Sequence, residues 1–281
     1  MSRTGQHSRP IGQPTRGKTA LNRLRQIDVY VALRLESVLH GGSPLIVDVG
    51  YGAFAWTALE MYDRLRGLNP RIRLLGLEID PDRVEAARPH ADPPRLDFHL
   101  GGFNIVNVLN GEQARLIRCY NVLRQYDETA VEPALAQMAE GLEPGGILIE
   151  GTSNPNGRLV AFDVYQREAG ILRHLALVFG TNFRAPVEAM DFQAILPKRL
   201  IHHMRDKIDE PRVMSPSHFF ADWQREWVLR RVPDQISPPR QTWVTVGEAL
   251  IGRYPISRNR GLLRRGYLEL GTPLREPPVG T

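Results

Sequence analysis

Two acidic residues and a pair of glycines carry the chemistry legible in this sequence. Asp48 stands two positions before Gly50-Tyr51-Gly52, and Glu78 lies 23 residues after Ala55. The glycines allow a tight turn and a close approach of backbone to a ligand. A helix that starts directly after them leaves free N–H groups and a positive dipole end facing the same space. A nucleotide or a carboxylate suits such a place. Gly50, Gly52 and Ala55 also satisfy a loose dinucleotide-turn spacing, with Glu78 positioned for ribose hydroxyls.

Asp48 separates the possible ligands. At the end of a strand its carboxylate would repel a pyrophosphate by about a kcal/mol or more at short range. The same charge suits a ligand with an ammonium and a sulfonium, such as S-adenosylmethionine, whose ribose still asks for an acid after the second strand. A local reading stays open beside this one, in which Asp48 caps the turn.

The elements that would position these residues alternate. A helical stripe (Leu21, Leu24, Ile27, Val31, Leu35, Val38) ends at Gly41-Gly42, and a strand follows over 45–49. The next helix places Phe54, as its first core residue, with Ala58, Met61, Tyr62 and Leu65. Further strands are predicted at 72–79, 96–100 and 116–120, then a helix over 129–141, a turn at Leu142 to Gly146 and a strand over 147–149. Strand-like runs at 158–165 and 174–179 suggest an antiparallel hairpin at the sheet edge. The expected fold is α/β: a doubly wound, mostly parallel seven-stranded sheet with that edge hairpin. A mainly helical C-terminal extension follows, with helices at 187–206 and 217–231. Ser217 would cap the second, and Phe220, Trp223 and Trp227 share one of its faces as core or lid.

The expected organisation is a disordered basic tail over 1–19, a Rossmann-like domain over 20–182 and an extension over 183–281 that could cover an acceptor site. Of the chain's 281 residues, 36 are Lys or Arg and 31 Asp or Glu; the six bases before Asp28 meet no acid, so the remainder is close to neutral. The high pI therefore reports a tail. No apolar run reaches the length of a membrane span, no secretory pattern opens the chain, and the single cysteine, Cys119, suits a reducing compartment as an inert buried thiol. Cytoplasm is the expected location.

Three segments, VDVGYG at 47–52, LLGLEIDPDRVEAAR at 74–88 and LEPGGILIEG at 142–151, resemble the successive motifs of class I S-adenosylmethionine-dependent methyltransferases over roughly residues 20–180. The resemblance implies that Asp48, Gly50 and Gly52 line the methionine end. Glu78 would hold the ribose, Ile79 would lie against the adenine, and Gly102 and Phe103 would read the adenine edge. Tyr120 and Asn121 fall where acceptor and catalytic groups gather. Phe54 stands where the family has a third glycine. Gly102 stands where it has an aspartate, leaving Asn104 to bond the adenine.

The chemistry implied is methyl transfer, with a small-molecule acceptor favoured by NVLRQY at 121–126 and no catalytic base named. RNA is the second acceptor class, through the basic tail and Arg258, Arg260, Arg264 and Arg265, although a solvated face is the favoured explanation of that cluster. A binding protein that keeps the fold without catalysis is the third reading. No metal is expected: His202 and His203 are adjacent, so on a helix they diverge. No membrane partner is expected, and the oligomeric state is open.

Overall fold

The computed structural model describes residues 9–185, 187–201, 216–230 and 238–271. Eight strands follow the sheet order β3-β2-β1-β4-β5-β6-β7-β8. They are β1 (Leu45–Val49), β2 (Arg73–Glu78), β3 (Leu96–Leu100), β4 (Ala114–Tyr120), β5 (Leu142–Ser153), β6 (Leu159–Glu168), β7 (Ile171–Thr181) and β8 (Tyr267–Leu270). β1 pairs parallel with β2 and β4, and β2 with β3, as expected when helices connect successive strands. The fold is Rossmann-like α/β. An eighth strand replaces the expected seven, because YLEL at 267–270 pairs antiparallel with β7; the hairpin is therefore not the sheet's edge. Four residues with a single alternation were too short a signal to stand alone.

Other boundaries moved for local reasons. The turn expected at Leu142 to Gly146 lies inside β5, where Gly145 takes φ +83°. The stripe from Leu21 divides into α1 (Arg25–Arg34) and a 3-10 turn, Glu36–Leu39. Of the helix expected at 187–206, the described residues form a 3-10 segment, Ala189–Ile195, then Pro197 and the short α6 (Lys198–Ile201), and 202–206 lie outside the described residues. His202 and His203 lie outside the described residues. In α2 (Trp56–Leu65) Ala58, Met61, Tyr62 and Leu65 are buried as expected, but Phe54 is 53% exposed. It precedes the helix and stacks on Trp56 at 4.6 Å.

The chain forms two compact units, one of residues 1–149 with 166–173, the other of 150–165 with 174–281. The first carries α1, α2, α3 (Pro81–Ala87), α4 (Val106–Leu109) and α5 (Val131–Glu140). Its interior holds a cation. Arg118, in the middle of β4, has no exposed surface. Its guanidinium donates to both oxygens of Asp48 at 2.8 Å, to Asp28 at 2.6 Å and to the Thr57 carbonyl at 3.0 Å. Arg64 donates to the other oxygen of Asp28 at 2.6 Å. Burial pushes the Asp28 carboxyl up to about 6, with Asp48 adding to the rise and Arg118 and Arg64 opposing it.

The second unit carries α6, α7 (Pro216–Arg230), α8 (Pro239–Leu250) and α9 (Arg260–Arg264). Ser217, expected as the cap, lies inside the described helix α7. The stripe Phe220, Trp223 and Trp227 is core: Trp223 lies 5.0 Å from Phe179 and 5.7 Å from Trp243. Arg260 donates to Glu248 at 2.6 Å. A polar group is buried here too. Asp163 accepts from Arg199 Nε at 2.7 Å and lies 2.7 Å from His174 Nε2. Burial alone would raise Asp163, but Arg199 and His174 hold it at about 2. Glu150 is fully buried, and its Oε1 has no hydrogen-bond partner among the described residues. Burial first, and the Asp163 charge second, push its carboxyl up to about 8.

Two predictions follow from these interiors. Arg118→Met leaves Asp28 and Asp48 without their shared cation and should cost about 3–5 kcal/mol in urea unfolding; adding Asp28→Asn and Asp48→Asn should recover most of the loss. Glu150 has a folded pKa above its ordinary value, so its contribution to stability is complete below about pH 4.5 and is lost as pH rises through about 8. The stability advantage of Glu150→Gln over the parent should therefore grow between pH 6 and pH 9. An advantage constant across that range would assign the pH dependence elsewhere.

Candidate adenosyl-ligand site

The C-terminal ends of β1, β2, β3 and β4 meet above the parallel part of the sheet, where open α/β folds bind ligands. A small cavity with room of about 20 Å³ lies there, with Gly50, Glu78, Ile79, Gly102 and Phe103 among its lining residues. Gly50 takes φ +73°, and a Cβ on it would come within 2.6 Å of Val122. Glycine is thus required both by the turn and by the neighbouring strand end.

Glu78 ends β2 with its carboxylate buried. One oxygen accepts from the Gly52 amide at 2.9 Å and the other from the Ile79 amide at 2.9 Å. Arg83 stands 3.6 Å away. Its helix is started by Asp80, which accepts from the Asp82 amide at 3.0 Å with Pro81 at the first position. Glu78 thereby ties the glycine turn to the end of β2.

Asp48 does not line this cavity. Both its oxygens are bound to Arg118, so the cation it faces is the protein's own. All five residues of β1 are buried, which hid the side on which Asp48 lies. Gly52 contributes its amide to Glu78 and lies behind the lining. Tyr120 is buried at the end of β4, and Asn121 follows in the left-handed region at φ +61°; neither is among the cavity's lining residues. Phe54 points out and does not crowd the turn.

Phe103 and Asn104 present a paired donor and acceptor. The Phe103 amide donates to the Ile11 carbonyl at 2.8 Å, and Asn104 Oδ1 accepts from the Ile11 amide at 2.8 Å. Within the tail expected to be disordered, residues 9–17 form a strap, and residues 1–8 lie outside the described residues. Asn104 also donates to the Arg9 carbonyl at 3.2 Å. The Tyr126 hydroxyl accepts from the Gln13 amide at 2.7 Å and donates to the Gln13 carbonyl at 3.0 Å. Arg83 donates to the Thr15 carbonyl at 2.9 Å, the Arg16 amide to Gln125 at 2.9 Å, and the Ala53 amide to the Gly17 carbonyl at 3.0 Å. Burial raises the Tyr126 hydroxyl above its ordinary range, keeping it protonated as a donor. Sequence reading missed Tyr126, Val122 and the strap. Tyr126 follows the flagged Asn121 by five residues, but the strap bonds through backbone, which composition does not report.

No helix among the described residues is long and apolar enough to cross a membrane, and no cluster of three or more potential metal ligands occurs among them. No family model matches the chain, and no curated protein sequence matches it. Solved structures resemble parts of it. The DszA carbon methyltransferase is 16% identical over 46% of this chain and 33% of its own, with a TM-score of 0.36. LepI, solved in complex with SAH and a substrate analogue, is 17% identical over 48% and 33%, with a TM-score of 0.35. TnmH is 18% identical over 46% and 35%, also at 0.35. The chain spans about a third of the length of these structures. On its own strand order, glycine turn and acid-ended β2, the chain has the Rossmann-like α/β fold that the resemblance to class I methyltransferases implies.

Proposed function

We propose that this protein is an S-adenosylmethionine-dependent methyltransferase with a small-molecule acceptor. The observation that carries the reading is the side-by-side donor and acceptor formed by the Phe103 amide and Asn104 Oδ1. That pair complements the adjacent ring-nitrogen acceptor and amino donor of adenine; Phe103 lines the same cavity as Glu78, and Asn104 follows it outside the lining. The residues fit an adenosyl group as follows. Phe103 and Asn104 bond the base, Ile79 supplies an apolar wall, and Glu78 accepts from the ribose hydroxyls. Gly50 leaves room for the chain that continues from the ribose.

When bound, the cofactor supplies an electrophilic methyl group; the protein orients it and excludes water. Positioning supplies much of the acceleration of an in-line displacement, and a base is needed only where the acceptor must lose a proton. With Asp48 bound to Arg118, Asp48 would not be the partner of the ammonium and sulfonium end. Segment 121–126, which resembles that of small-molecule enzymes, favours such an acceptor.

Calorimetry with S-adenosylhomocysteine tests the reading. The parent should bind, and Glu78→Ala should weaken binding by about 1–3 kcal/mol, the effect of losing hydrogen bonds to a charged acceptor. Glu78→Gln, which keeps the shape, should fall between them. Equal affinity in all three would remove Glu78 from the site.

A further inference from the structure

We propose that residues 9–17 are an internal plug of the adenine end of this cavity, a strap that has to leave before an adenosyl ligand can enter. The inference rests on the adenosyl reading above and concerns how that site is regulated. One residue of the strap, Ile11, offers a donor and an acceptor from its own backbone, and these satisfy Asn104 Oδ1 and the Phe103 amide together. The strap thus presents the same hydrogen-bonding pattern as an adenine edge, and both cannot occupy it at once. Gly102 makes the approach possible: a Cβ there would collide with the Ile11 carbonyl. Ile11, Gly12, Gln13 and Thr15 line the cavity with Glu78 and Phe103, so the strap fills space that a ligand would need. What remains has room of only about 20 Å³, far below ordinary ligand pockets, which run from about 300 Å³.

The strap is also built to release. Its bonds to Asn104 and Gln125 are exposed to solvent, those to Tyr126 and Arg83 are partly buried, and Ile11, its one large apolar side chain, is 45% exposed. A segment with little apolar burial and several solvent-exposed hydrogen bonds opens at lower free-energy cost than the core. Arg83 is shared between the two sides, bonded to Thr15 in the strap and paired with Glu78 in the cavity. A ligand that engages Glu78 competes with the strap at this second point.

The test uses the full-length protein, S-adenosylhomocysteine as probe, hydrogen exchange at the strap amides and calorimetry on the parent and Ile11→Pro. Proline removes the donor to Asn104 and leaves the cavity floor intact. The probe should speed exchange of the Gln13 and Arg16 amides in the parent, and Ile11→Pro should bind it about tenfold more tightly, the effect of one hydrogen bond. Slower exchange at those amides on adding probe, or affinity in Ile11→Pro no greater than in a parent that binds, would overturn the plug and leave the adenosyl reading standing. No binding by either protein at millimolar probe would overturn the adenosyl reading and the plug with it.

Discussion

A buried arginine organises the first unit. Arg118 stands on a central strand with no solvent to stabilise its charge, and an unpaired ion there would be untenable. Its neutralisation draws a carboxylate from α1, another from β1 and a carbonyl from α2. Three elements are therefore fixed around β4 before any ligand is considered. Burial costs the arginine, but the two carboxylates more than compensate and raise its proton affinity above the ordinary value. The arrangement also commits Asp48. With that carboxylate held on the arginine, Glu78 is the acid left in the cavity at the strand ends.

The second unit meets the same difficulty less completely. Asp163 has Arg199 and His174, and it stays ionised. Glu150, buried nearby in charge terms, has burial and a like charge against it and stays protonated at neutral pH. One interior neutralises its acids with a cation, and the other neutralises one acid by keeping its proton. The two solutions differ in how they respond to alkali.

Much of the architecture was legible because apolar runs bounded by Gly and Pro leave few choices. β1 and β3 begin and end at the residues expected, and Glu78, Gly102 and Phe103 converge because parallel strands bring their C-terminal ends to one side. The direction of Asp48 was not legible. In a strand buried on both faces, alternation no longer distinguishes them. The missing signal was Arg118 itself, a charge inside the run Leu116 to Tyr120 that required acidic partners. The strap was invisible for a different reason. Its composition lacks anything to bury, and it is held by peptide groups that every sequence possesses. Phe54 was assigned to the core by its spacing from Ala58, yet the helix starts two residues later and the ring lies outside it.

The placement of the four tryptophans has a spectroscopic consequence. Trp223, Trp227 and Trp243 are buried together in the aromatic core of the second unit, whereas Trp56 stands alone in the first, 36% exposed and stacked on Phe54 beside the glycine turn. Indoles in an apolar core emit at shorter wavelength than indoles in contact with water. The blue side of the emission band therefore reports the integrity of the second unit, and the red edge reports the loop that leads into α2. The protein carries its own two-colour readout, one colour for each unit.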